Sequence, residues 1–175
     1  LEAEEKKNQA LMGQIRTNKL DYSRTLEELA VRAQELQKLL QDFEKQAPAL
    51  DLPIIPITEG KGRLPWPAGG RILQPYGLRH GPFNTVTMNN GIEIAPREGD
   101  PEVRAVHGGK IAYADHFQGY GNLIILDHGL TYYSLYGHLA EFLVRKGDYV
   151  KAGQAIGVAG DTGSMVGVSV YFEIR

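Results

Sequence analysis

Cysteine is absent from all 175 residues. That excludes a disulfide scaffold, a cysteine-ligated zinc site and a thiol nucleophile, and leaves the compartment open. An excess of one charge is also missing, since 19 Lys and Arg stand against 21 Asp and Glu, a net of −2. Binders of nucleic acid or anionic membranes carry a marked basic excess, so neither partner is expected. No apolar run reaches the ~18 residues that a transmembrane helix needs. The opening Leu1-Glu2-Ala3-Glu4-Glu5-Lys6-Lys7 is charged and does not read as a secretory leader. Glycine is almost missing from one part of the chain: of 21, only Gly13 precedes residue 60. Two physically different segments are therefore joined.

The first segment, 1–46, reads as one long helix. Steps of three and four from Met12 give Ile15, Lys19, Tyr22, Leu26, Leu29, Ala33, Leu36, Leu40 and Phe43. All but Lys19 are apolar, and the 3.5-residue period predicts a coiled-coil seam. Residues 1–46 hold 8 basic and 9 acidic side chains, a balanced and solvated exterior. Heptads specify association, so a plain stalk and a regulatory helix are both open readings. Pro48 and Pro53 end the helix. Residues 47–63 form a Pro-rich linker, extended by its prolines. Its Leu50, Leu52, Ile54, Ile55 and Ile57 are unusual for a free linker and predict packing on a surface.

From Leu64 to Arg175 short apolar runs alternate with Gly and Asp turns. Strands are expected over 70–74, 90–94, 102–106, 109–114, 122–127, 131–136, 155–158 and 168–174, with a short helix over 139–144. This pattern predicts a mostly antiparallel β domain large enough for one core. The fold class is α+β.

The ordered motifs of this domain resemble a known family. Tyr76-Gly77-Leu78-Arg79, Gly91-Ile92-Glu93-Ile94-Ala95, Gly119-Tyr120-Gly121-Asn122, Asp127-His128-Gly129, Tyr136-Gly137-His138-Leu139 and Phe172-Glu173-Ile174-Arg175 are similar to the LytM (lysostaphin-type) peptidoglycan endopeptidase domain. The resemblance covers roughly 65–175. It implies a zinc site from His-x-Gly-x-Asp and the second His of His-x-His, with further His residues serving the bound water and oxyanion. At those positions this chain has Asn89, Glu93, Ser169 and Tyr171, and only His138 is retained. An amide is a poor zinc ligand, a phenol is protonated near neutrality, and a catalytic zinc needs three protein ligands. The expectation is a LytM-like scaffold with no catalytic residues, no metal and no cofactor. The remaining His80, His107, His116 and His128 share no metal-type spacing and are read as structural. Gly119-Tyr120-Gly121-Asn122 is followed by no helix pattern and is not a dinucleotide loop.

A metal-free LytM-like domain behind a coiled coil is similar to the EnvC-type cell-division factors of Gram-negative bacteria. That resemblance implies a non-enzymatic activator of periplasmic N-acetylmuramoyl-L-alanine amidases. The amidase would bind through a groove lined by Asn89, Glu93, His138, Ser169 and Tyr171. An FtsEX-type inner-membrane complex would contact the coiled coil. It further implies a piece of a longer exported protein, and a helix and linker able to close the groove. A peptidoglycan-binding or structural module, and a LytM metalloendopeptidase with a non-standard metal site, are the alternatives.

Overall fold

The computed structural model describes residues 2–46 and 55–175. Helix α1 (Glu2–Gln46) is 45 residues long, about 67 Å at 1.5 Å per residue. The heptad seam along it has two fates. Met12 and Ile15 lie open to solvent. Leu36 and Leu40 are buried, with Leu39 and Phe43 half-buried, against Leu123, Ile125, Tyr133 and Leu135 of the β domain. The seam is an apolar stripe that accepts any complementary surface, and here its C-terminal part packs on the chain's own sheet.

The strands are β1 (Gly70–Gln74), β2 (Gly77–His80), β3 (Val86–Asn89), β4 (Ile92–Pro96), β5 (Glu102–Arg104) and β6 (Gly109–Phe117). They continue as β7 (Gly121–Asp127), β8 (Tyr133–Phe142), β9 (Tyr149–Val150), β10 (Ala155–Ala159) and β11 (Val170–Ile174). An antiparallel sheet runs in the order β1-β4-β11-β8-β7-β6-β9, with β10 pairing both β8 and β5. β2 and β3 form a separate hairpin.

The short helix expected over 139–144 is absent, and most of that segment is strand. His138 has φ 63, which kinks β8. Beyond the kink, Leu139, Glu141 and Phe142 pair with Ala159, Val158 and Gly157 of β10. Pairing with a waiting strand outweighs the local helical preference of Leu-Ala-Glu-Phe-Leu. The strand bends there as it does at a bulge, re-aiming a side chain.

The sheet has two covered faces. Ile94, Ile111, Ile124, Leu126, Tyr136, Ile156 and Val170 make the main core on one side. Ile57 reaches this core from the short 3-10 turn Ile57–Gly60, whereas Ile55 is exposed. Leu50, Leu52 and Ile54 lie outside the described residues. By strand alternation, Glu93 of β4 and Tyr171 and Glu173 of β11 point to the opposite face, where α1 packs.

A buried relay ties the main core together. His128, 2% exposed, donates from Nδ1 to the Gly108 carbonyl (2.8 Å), so its Nε2 accepts from the Ser134 hydroxyl (2.7 Å). Ser134 lies 2.9 Å from the Tyr136 hydroxyl, which accepts from the Val106 N–H. Burial holds the His128 pKa down to about 4. Between pH 6.5 and 4 the unfolded chain therefore takes up this proton more readily than the folded one. The stability involved, roughly 3 kcal/mol, is present above pH 6.5 and lost as pH falls through 4. Melting of His128→Gln should show a lower midpoint at pH 7 and a shallower fall toward pH 4 than the parent. An equally steep fall would place the acid sensitivity elsewhere.

Candidate functional site

Register brings the central residues together. Tyr171 of β11 pairs with Glu93 of β4 on one side and with Gly137 of β8 on the other. His138 follows directly, its ring 6.1 Å from that of Tyr171. Tyr120, from the β6–β7 turn, packs edge-on to Tyr171 at 5.2 Å. Gly91 is required by this approach, because a Cβ there would lie 2.7 Å from the Tyr171 ring.

Three polar side chains of the site have a definite use. The Tyr171 hydroxyl donates to Glu173 (2.7 Å), a carboxylate only 3% exposed that also pairs with the Arg175 guanidinium. Burial first, and the adjoining Glu173 charge second, push the Tyr171 pKa far above that of an ordinary phenol. The Asn89 amide donates to the Pro75 carbonyl (2.9 Å), tying β3 to the base of its hairpin. Ser169 donates to the Gly167 carbonyl and accepts from Ser164. Asn89 and Ser169 thus serve the walls of the site, whereas Glu93, His138 and Tyr171 make its floor.

Two floor groups are left with capacity to spare. The His138 Nδ1 lies 2.9 Å from the Thr162 carbonyl. A carbonyl only accepts, so Nδ1 carries the proton and Nε2 is free of hydrogen bonds to described residues. Among the described residues, one carboxyl oxygen of Glu93 is buried without a hydrogen-bond partner. Desolvation raises the Glu93 pKa, opposed by the nearby His138 and Arg79 charges. Arg79 itself hydrogen-bonds Gln74.

These residues do not fit a zinc ion. Asn89 offers only a neutral amide oxygen, its nitrogen donating to Pro75, and the phenol proton of Tyr171 is bound to Glu173, so Glu93 is the one anionic side chain among the three ligand positions. Among the described residues no three His, Asp or Glu side chains stand together as a metal site.

Helix α1 touches both flanks of this floor. Tyr22 packs on Phe83 (6.2 Å between rings) at the tip of the β2–β3 hairpin, the element that carries Arg79 and Asn89. Arg32 lies against Gly119 in the turn that carries Tyr120. Leu36 and Leu40 then reach the sheet. A cleft of about 540 Å³ remains between Gln37–Glu44 and a wall that includes Tyr76, Asn90, Glu173 and Arg175.

Sequence reasoning passed over Tyr120, Glu173 and Arg175 as site residues. The signal was there in period-two alternation, which puts Tyr171, Glu173 and Arg175 on one face of β11 and its continuation.

Residues 87–175 match the profile of peptidase family M23. The chain is 40% identical over 123 residues to the lipoprotein NlpD/LppB homolog of Pseudomonas aeruginosa, covering 69% of this chain and 39% of that protein. It is 37% identical over 115 residues to the murein hydrolase activator EnvC of Escherichia coli, covering 66% and 26%. It thus spans well under half the length of these relatives. Among solved structures, a zinc-containing peptidase from Vibrio cholerae superposes with a TM-score of 0.54 at 29% identity, covering 62% of this chain and 35% of that one.

Proposed function

We propose that this chain, which belongs to peptidase family M23, works as a non-enzymatic activator of a peptidoglycan N-acetylmuramoyl-L-alanine amidase. The observation that carries this reading is the internal use of the ligand positions. Asn89 is a neutral amide whose nitrogen is tied to Pro75, and Tyr171 keeps its proton on Glu173, so the peptidase framework is kept while its metal chemistry is not supported. Similarity to proteins named as murein hydrolase activators agrees with it.

The mechanism is one of competing contacts. The amidase docks on the sheet face that holds Glu93, His138 and Tyr171, and this docking stabilises its active conformation. Moving an amidase from about 1:99 to 99:1 active takes about 5.5 kcal/mol of differential affinity. In the resting chain α1 packs on the same face through Leu36 and Leu40. Docking of the amidase therefore requires α1 to leave. The exposed stretch of α1 around Met12 and Ile15 is the handle on which an FtsEX-type inner-membrane complex acts. This places the protein in the periplasm, in septal peptidoglycan cleavage during cell division.

Dye release from labelled peptidoglycan tests the proposal. The chain alone, with Zn²⁺ supplied, should release nothing, an amidase alone little, and the two together much more. Release by the chain alone, or no gain on mixing, contradicts it.

A further inference from the structure

Among the buried side-chain polar atoms of the described residues, one carboxyl oxygen of Glu93 has no hydrogen-bond partner. A carboxylate held away from water without a partner is costly, and such groups are kept where something else supplies the partner. We propose that Glu93 forms a socket for one basic side chain, Arg or Lys, projecting from the helical segment of the protein partner that displaces α1. This rests on the activator reading above and deepens it by naming the chemistry of the partner.

Three observations converge on a cation arriving from outside. The neighbouring base of the chain, Arg79, is held by Gln74. Among the described residues no base of α1 bonds to Glu93: Arg32 lies against Gly119 and pairs with Glu28 at 3.5 Å, and Lys38 is exposed. The rest of the floor is already satisfied, with Tyr171 and Arg175 both bound to Glu173. A helical occupant is favoured because the same face already receives a helix, with Leu36 and Leu40 on Leu123, Ile125 and Leu135. The resident helix matches the apolar part of the face and leaves the carboxylate unanswered. A visiting helix with the same apolar pair and one base answers both. That difference is what lets it win the exchange, since a competitor displaces a tethered segment only through interactions the segment lacks. Charge-assisted hydrogen bonds are the strong kind for this purpose.

The test measures binding of the full chain to each N-acetylmuramoyl-L-alanine amidase of the same genome, for the parent, Glu93→Gln and Glu93→Asp. Glu93→Gln keeps the shape and removes the charge, and should weaken binding at least tenfold and flatten its salt dependence. Glu93→Asp keeps the charge and should retain most of the affinity. Melting temperatures of both variants report folding, and that of Glu93→Gln should be no lower than the parent's. Parent binding with Glu93→Gln equally tight and equally salt-sensitive overturns the socket and leaves the activator reading standing. Absence of binding by the parent overturns the activator reading, and this inference falls with it. Loss of binding to isolated sacculi in Glu93→Gln, with amidase binding unchanged, also overturns it and assigns the carboxylate to an amine of peptidoglycan.

Discussion

Replacing Leu36 and Leu40 together by alanine should turn the chain into a stronger amidase activator. Leu36 is fully buried and Leu40 is 5% exposed, and both sit on the sheet face that carries the floor of the site. A buried Leu→Ala change costs about 2–5 kcal/mol. In this protein the loss falls mainly on the docking of α1, because the main core around Ile94, Ile124 and Tyr136 lies on the opposite side of the sheet. Even about 2.8 kcal/mol changes the docked-to-free ratio of the helix about 100-fold. If about 1% of molecules are open in the parent, about half are open in the double variant, and stimulation at limiting concentration rises in proportion. A chain reduced to residues 60–175 should behave in the same direction. Stimulation that stays the same or falls, with the β domain still melting cooperatively, would make α1 a support for the site and not its cover.

Tyr171→Ala carries the second large effect, in the opposite direction. The ring stands between Tyr120 and His138, and its backbone links β4 and β8. Interfaces concentrate their energy in a few buried aromatics, with losses of 2 kcal/mol or more on truncation, about 30-fold in affinity. Tyr171→Ala should therefore remove most stimulation. Tyr171→Phe keeps the ring and gives up only the bond to Glu173, so it should retain much of the activity. Dye release with both variants, alongside thermal melts, decides the matter. Full activity in Tyr171→Ala would move the docking surface off this face.

Much of this architecture could be read from residue order, and the failures have physical causes. The heptads from Met12 to Phe43 made the long helix legible, but periodicity says only that a stripe is apolar. It does not distinguish a partner helix from a sheet, and the sheet took Leu36 and Leu40. The strands bounded by glycine were visible because each has a core face. The hairpin of β2 and β3 escaped because its strands pair only with each other, and Leu78, Val86 and Met88 stay exposed. Leu139–Phe142 read as helix because propensity is local, whereas its pairing with β10 is not. At the site, the positions Asn89, Glu93, His138, Ser169 and Tyr171 were legible from motif order. The hydrogen bonds that commit Asn89 to Pro75 and Tyr171 to Glu173 were not, since they depend on which way each side chain turns. The unpartnered oxygen of Glu93 was equally invisible, because burial without a partner is a property of the assembled sheet.

Hydrogen exchange of the intact chain with and without a saturating amidase tests the central claim most directly. Amides respond segment by segment to the opening and covering of their surroundings. The account predicts that on binding, β11 (Val170–Ile174) and the end of β8 around His138 gain protection. Over residues 33–43 of α1 it predicts a loss of protection as the helix leaves the sheet. Protection gained on another surface, with α1 exchanging as slowly as in the free chain, would contradict it.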